Sequence, residues 1–267
     1  MAAQEEAGAA LLRRFRRAFR GEAEAGRERL LPLEGPRLIG EALRSGARLE
    51  AVVFSATGAA RFAAKLRPQL SKHAEVAVAA DAAFRAAMDV ETPQGVAALA
   101  RWPAASLAEM LPDSPQAPLL VAAALQDPGN LGTLIRAADA FGATGVLSLA
   151  ESVAPFHPKA IRASAGSLFH LPVAEKIAEA ALIEACRRRD VAIIAAGARG
   201  KTPLPAADLR RPLCLVIGQE AGGVPRALQR AAATTLAIPM RREIESLNAG
   251  VAGAIILYEA MRQRGAS

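Results

Sequence analysis

Three unbroken apolar runs, LLVAAAL (119–125), VAIIAAG (191–197) and LCLVI (213–217), constrain this chain more than any other feature. A strand with one wet face alternates apolar and polar residues, whereas a strand covered on both faces reads as a continuous apolar run. Runs of the second kind, separated by segments with helical periodicity, predict a parallel sheet with helices on both faces. Strands are expected at 119–125, 146–149, 191–197, 213–217 and 235–238, and helices at 131–141, 158–167, 177–189, 225–232 and 246–264. The fold class is α/β.

The first hundred residues alternate shorter elements. Leu38, Ile39, Ala42 and Leu43 lie on one helical stripe within 33–46, which Gly46 ends. Strands are expected at 49–55, 74–80 and 95–101, with ARFAAKLRPQL and DAAFRAAMD helical between them. WPAASLAEMLPDSPQAP (102–118) then carries four prolines in 17 residues, the punctuation of a linker. The expected organisation is a small α/β domain at 1–101, a linker at 102–118 and a larger α/β domain at 119–267.

The net charge is +7, and 28 of the 33 basic side chains are arginine. Guanidinium forks match phosphate geometry, so this balance favours a polyanionic partner, although an arginine-rich solvated surface gives the same composition. LLRRFRRAFR (11–20) sharpens the choice. It holds five arginines and no acid, with Phe15 and Phe19 at i,i+4, as suits a helix with one greasy and one basic face. Arg13, Arg14, Arg16 and Arg17 are candidate RNA contacts. No apolar run reaches the roughly 18 residues of a membrane span, and no apolar leader follows the N-terminus, so a cytoplasmic protein without a membrane partner is expected. Cys186 and Cys214 form no redox or metal motif and read as small buried hydrophobes. His73, His157 and His170 are far apart, so no metal site is expected.

None of the 21 glycines has another two positions away, and no Walker A sequence occurs. Dinucleotide sites need the Gly-x-Gly turn, so phosphate-cradling nucleotide folds are disfavoured. Three clusters remain to be explained. In DPGNLGTLIRAADAFGATGVLSL (127–149), Pro128-Gly129 reads as a turn and Asn130 as a helix N-cap. Leu131, Leu134, Ile135 and Ala138 form the core stripe, and Arg136 falls off it. In IGQEAGGVP (217–225), Glu220 either caps a helix beginning near Val224 or faces a ligand at the carboxyl edge of the sheet. In LAIPMRREIESLNAGVAGAIILYEAMRQR (236–264), Ser246 reads as an N-cap. The helix behind it is apolar nearly all round and hence buried, with Gly250, Gly253 and Ala254 permitting close approach.

In this order the clusters resemble the motifs of the TrmH/SpoU family of RNA ribose 2′-O-methyltransferases. The resemblance rests on D-P-x-N-x-G-x-x-x-R-x-A (127–137), G-x-E-x-x-G (218–223) and I-P-M…E-S-L-N followed by a small-residue helix (238–254). KAIRASAGSLFHLPV (159–173) is also similar, and the likeness spans 119–264. LEGPRLIGEAL and ETPQGVAAL resemble the ribosomal-protein-like RNA-binding domain often fused to such enzymes. One departure is that Ala249-Gly250 stands where Val-Ser is usual.

The resemblance implies a trefoil-knotted, SPOUT-type α/β methyltransferase domain behind a small RNA-binding domain. It implies S-adenosylmethionine held near Ala196, Gly197, Gly218, Ile238 and Leu247, a donor with no phosphate to cradle. It further implies a homodimer through the C-terminal domain, with RNA bound across the interface. Arg136, Asn130, Glu220, Ser246 and Asn248 become the catalytic candidates. Because guanidinium stays protonated in proteins, Arg136 is expected to act as a fixed cation on phosphate and developing alkoxide rather than as a base. Arg37, Lys159 and Arg162 join the arginines of 11–20 as RNA contacts. Large-subunit rRNA is the expected substrate and tRNA the alternative. A non-catalytic RNA-binding or ribosome-assembly protein on the same fold is the rival reading.

Overall fold

The arginine-rich front stretch folds as α1 (Ala2–Phe19), and its two faces separate as the periodicity requires. Leu11, Phe15, Ala18 and Phe19 are buried against Val53, Phe84, Met88 and Leu99, while the five arginines point outward. The computed structural model describes residues 2–22, 28–88, 90–103, 105–111, 117–220, 222–241 and 246–265, without the side chains of 2–7 and 28. The chain divides into two compact units, Met1–Ala104 and Ala105–Ser267.

The first unit continues with β1 (Glu28–Glu34), α2 (Pro36–Arg44), β2 (Arg48–Ser55), α3 (Ala56–Leu66), β3 (Glu75–Ala79), α4 (Asp81–Ala87) and β4 (Val96–Pro103). Its sheet has the order β1-β4-β2-β3; β4 runs antiparallel to both neighbours and β2 parallel to β3. β1 is not among the expected strands, and Leu33 and Glu34, expected in a helical segment, belong to it. Pro32 obscures the strand, but β1 lies at an edge, where a missing N–H is tolerated. Leu31 and Leu33 face the core.

The second unit begins with α5 (Leu107–Met110), inside the proline-rich stretch. Ser106 and Glu109 form a reciprocal capping box, which burial of Met110 and Leu111 anchors to the core. There follow β5 (Leu119–Ala123), α6 (Pro128–Ala140), β6 (Gly145–Leu149), α7 (Pro158–Ala163), β7 (Val173–Ile177), α8 (Glu179–Arg188), β8 (Ala192–Ala196), β9 (Thr202–Pro203), β10 (Leu213–Gly218), α9 (Arg226–Ala231), β11 (Thr234–Ala237) and α10 (Ala249–Gln263). The seven strands are parallel, in the order β7-β6-β5-β10-β8-β11-β9. The three apolar runs that open the sequence argument are thus the adjacent strands β5, β10 and β8, at the sheet's centre.

The two edge strands, β7 and β9, are not among the expected strands. β7 is VAEKI, with Lys176 at φ 58, and it ends on Ile177, where a helix is expected to start. β9 has only two residues. Cys186 and Cys214 are buried as expected, yet they are not isolated, since their sulfurs lie 3.5 Å apart.

Glycines set the helix packing. A Cβ on Gly132 would stand 2.4 Å from Ala163 Cβ and 2.6 Å from the Ala160 carbonyl oxygen, so α6 lies directly on α7. Cβ atoms at Gly250 and Gly253 would meet Thr133 at 2.9 Å and Leu134 at 2.2 Å, so α10 lies directly on α6. The Ala249-Gly250 departure therefore has a packing reason, because a larger residue at 250 would press on Thr133.

Candidate functional site

Asp127 caps α6, its carboxylate accepting from Gly129 N–H at 3.0 Å, and Pro128 fills the first helical position. This corrects the expectation that Asn130 caps a helix starting at 131. Asp followed by Pro is the stronger signal, since Pro at N1 lacks only an N–H that the helix leaves unpaired and its φ is already helical. The Gly129 hydrogen bond, helped by Lys159 at 3.3 Å, holds the Asp127 carboxyl below its ordinary value. Asn130, relieved of capping, turns its amide toward other partners.

Those partners come from two distant segments. Asn248, rather than Ser246, is the N-cap of α10, its Oδ1 accepting from Val251 N–H at 3.2 Å. Asn248 Nδ2 donates to Asn130 Oδ1 at 2.7 Å and to Glu220 Oε1 at 3.1 Å. Asn130 Nδ2 donates to the same Glu220 oxygen at 3.1 Å, and Ala249 N–H approaches it at 3.3 Å. Glu220 therefore serves α10 and not a helix near Val224. An ionised carboxylate only accepts hydrogen bonds, so it fixes both amides with their NH2 groups inward. A carboxylate at a helix N-terminus is also favoured by the helix dipole.

Beside this junction opens a cavity of about 1130 Å³. Its walls come from the carboxyl ends of β8, β10 and β11 and from the start of α10. All five residues expected to hold a donor, Ala196, Gly197, Gly218, Ile238 and Leu247, line it, as do Glu220 and Ser246. Glycine is required at 218, where a Cβ would lie 2.2 Å from the Gly223 carbonyl carbon, and Gly223 N–H donates to the Gln219 oxygen at 2.8 Å. Ile217, Leu236 and Ile256 supply apolar wall. The volume is slightly above the roughly 300–1,000 Å³ typical of small-molecule sites, and a lining of backbone, polar and apolar groups suits a nucleoside-sized ligand.

The remaining candidates distribute as follows. Asn130 and Asn248 adjoin the cavity through Glu220 without lining it. Arg136 does not line it; it is exposed on α6, six residues beyond Asn130, or roughly 9 Å along the helix axis at 1.5 Å per residue. Arg13, Arg16 and Arg37 are exposed and form no ion pair among the described residues. Arg14 pairs with Glu75 at 2.8 Å and Glu50 at 3.8 Å, and Arg17 with Glu22 at 3.6 Å. Lys159 is held by Asp127, whereas Arg162 buries Nη1 without a hydrogen-bond partner. Arg199, Gln219 and Met240 also line the cavity and were not singled out in the sequence. The signal for Arg199 was available: it stands in the turn directly after a central apolar strand.

Comparison with known proteins agrees with this geometry. A model described as the SpoU rRNA Methylase family matches residues 117–258, and one described as an MRM3-like substrate binding domain matches residues 24–98. The 23S rRNA (guanosine(2553)-2′-O)-methyltransferase RlmP of Bacillus subtilis (strain 168) is 31% identical over 227 residues, covering 85% of this chain and 86% of that protein. An uncharacterized tRNA/rRNA methyltransferase of Synechocystis sp. is 37% identical over 177 residues, 64% of this chain and 46% of that one. The chain spans about half the length of several curated relatives it matches. Among solved structures, the SpoU methyltransferase AviRb from Streptomyces viridochromogenes, in complex with the cofactor AdoMet, aligns with a TM-score of 0.86 at 26% identity. That alignment covers 96% of this chain and 98% of AviRb. The expected α/β-knot class stands.

Proposed function

Because the chain belongs to the SpoU rRNA Methylase family, we propose that it transfers a methyl group from S-adenosylmethionine to a ribose 2′-hydroxyl of large-subunit ribosomal RNA. One observation carries this reading. Asn130, Glu220 and Asn248, from three separate segments, close into a single hydrogen-bonded junction at the wall of a nucleoside-sized cavity. The relatives named 23S rRNA methyltransferases and the front-domain match support the choice of substrate. A cytoplasmic location follows from that substrate.

S-adenosylmethionine, when bound, supplies an electrophilic methyl group on a sulfonium. The chain's part is to hold that donor against Ala196, Gly197, Gly218, Ile238 and Leu247 and to orient the acceptor. Glu220 is committed to three N–H donors, so it acts as a positioning group that keeps Asn130 and Asn248 in place rather than as a base. Ser246 lies on the cavity wall, and its role in this reading is to help orient the acceptor. Arg136 supplies a cation for the target phosphate and for the charge growing on the ribose oxygen as its proton leaves.

Arg136 stands apart from the cavity lining, and a homodimer supplies the missing proximity by joining one protomer's arginine to its partner's cavity. Val251, Ile255 and Tyr258 support it: they form an i, i+4, i+7 stripe on α10 at 47%, 36% and 50% exposure. Exposed apolar surface of this kind marks an interface. Ile255→Glu with Tyr258→Glu should yield a monomer by sedimentation velocity.

Calorimetric titration of the full chain with S-adenosylhomocysteine tests the donor site. One site per chain is expected, and Ile238→Trp, which fills the cavity, should abolish binding while the protein still melts cooperatively. Absence of binding by the unsubstituted chain would overturn the reading.

A further inference from the structure

The first unit contains a cavity of its own, about 240 Å³, at the carboxyl ends of β2 and β3. Its floor is internally satisfied. Asp81 accepts from Thr57 N–H at 3.1 Å and from Thr57 Oγ1 at 2.7 Å, and Gly58 N–H donates to Ser55 Oγ at 3.0 Å. Hydrogen bonds from Ser55 and Thr57 hold the Asp81 carboxyl below its ordinary value, so the acid stays ionised and fully engaged. The walls are closely fitted, since a Cβ on Gly58 would lie 1.8 Å from the Gly95 carbonyl oxygen.

Two arginines also line the cavity, and Arg85 lies close enough to Asp81 to help hold that carboxyl low. Arg61 and Arg85 are exposed, and neither forms an ion pair among the described residues. The Arg61 guanidinium lies 4.8 Å above the Phe62 ring, which restrains its plane. Gln94 is exposed at the same rim, its amide packed where Gly35 lacks a side chain. Arg14 and Arg17, which looked in the sequence like the front domain's basic face, are partly neutralised by Glu50, Glu75 and Glu22. At this concavity two guanidinium groups, Arg61 and Arg85, face one carboxylate, Asp81.

We propose that this cavity receives one unpaired nucleotide of the RNA substrate. Its phosphate is held by Arg61 and Arg85, and its base edge is met by the Gln94 amide. The volume is below the roughly 300 Å³ at which compact small-molecule sites begin, so the concavity suits part of a polymer better than a free metabolite. Arginine planes and an amide with one acceptor and two donors are the groups that recognise splayed-out bases in single-stranded RNA. Two cations against one fully hydrogen-bonded carboxylate leave a net positive rim, complementary to a phosphate. This inference rests on the RNA-modifying reading above and adds where the front unit grips its substrate.

Filter binding of the full chain to purified 23S rRNA and to a uridine 12-mer tests it, across a salt series. Arg61→Ala with Arg85→Ala should weaken binding to both probes about tenfold. It should also reduce the slope of log affinity against log salt by about one unit, as loss of one phosphate contact requires. Gln94→Ala should weaken binding with the slope unchanged. Both arginines are exposed, so the double variant should melt as the parent does, and S-adenosylhomocysteine binding should not move. A folded double variant with unchanged affinity and slope would overturn the inference while leaving the methyltransferase reading intact. Failure of the unsubstituted chain to bind either RNA would instead remove the reading on which it rests.

Discussion

Asn248 Nδ2 lies 2.7 Å from Asn130 Oδ1, joining two amides 118 positions apart, and both turn their remaining NH2 hydrogens toward Glu220 Oε1. The acceptor carboxylate decides this orientation, so Glu220 is the keystone of the junction. Glu220→Ala removes the acceptor of three donors. Charged hydrogen bonds contribute about 1.5–3 kcal/mol when buried, but Glu220 is exposed, and screening reduces the stability loss to about 1 kcal/mol. Turnover should fall far more, by about 100-fold, because small misplacements of positioning groups are costly. Methyl transfer and thermal melting measured together check this, and unaltered turnover would contradict it.

Arg136 makes a sharper kinetic test. It is exposed and outside the donor cavity, so Arg136→Ala should leave S-adenosylhomocysteine affinity unchanged. Methyl transfer should drop by about 100- to 1,000-fold, the effect of removing one charge-stabilising donor. Arg136→Lys keeps the charge without the planar fork and should recover part of the loss. A large loss of donor affinity would sink the assignment.

Gly132→Ala sets two effects of opposite sign against each other. Alanine gains about 1 kcal/mol over glycine in a helix interior. The new Cβ, however, would stand 2.6 Å from the Ala160 carbonyl oxygen and 3.0 Å from Ser164 N, backbone atoms that cannot swing aside. Overpacking of this kind costs about 1–3 kcal/mol or more, so the clash wins. A fall in melting temperature of about 3–6 °C is expected for a unit of this size. A rise on calorimetric scanning would show that α7 yields.

The far end of α10 carries a pH dependence. Hydrogen bonds from Arg262 and Gln263 hold the Glu259 carboxyl at about 2, below its ordinary 4.5. A depressed folded-state value means stabilisation that is complete above pH 4.5 and is lost as pH falls toward 2. Gln263 also donates to the Ala207 oxygen and accepts from Leu209 N–H, so the cluster ties α10 to the 204–209 segment. Glu259→Gln should lower the melting temperature at pH 7, and the difference from the parent should shrink to nothing near pH 2. A difference constant with pH would contradict the assignment.

The centre of the second unit was legible because β5, β10 and β8 are covered on both faces and therefore carry no polar alternation. Its edges were not. β7 holds Glu175 and Lys176 in an edge strand that owes its place to pairing with β6, and no local pattern encodes pairing. The cavity lining at Ala196, Gly197, Gly218, Ile238 and Leu247 was legible only through resemblance, since backbone contacts leave no residue signature. Two helix caps differ from expectation for one physical reason. Asn130 and Ser246 are good caps in isolation, but Asp127-Pro128 and Asn248 start their helices, and that reassignment directs Asn130 into the junction. The front cavity was invisible because Arg61, Arg85 and Gln94 converge only when α3, α4 and the Gly95 turn meet.

The central claim is transfer of a methyl group to a ribose hydroxyl of rRNA. Its most direct measurement is incubation of the full chain with methyl-labelled S-adenosylmethionine and 23S rRNA lacking its own methyl groups, followed by digestion to nucleosides and mass spectrometry. One 2′-O-methylnucleoside, formed in proportion to enzyme and absent with Arg136→Ala, is the expected product. Label on a base, label on free small molecules alone, or no transfer to the rRNA would contradict the account.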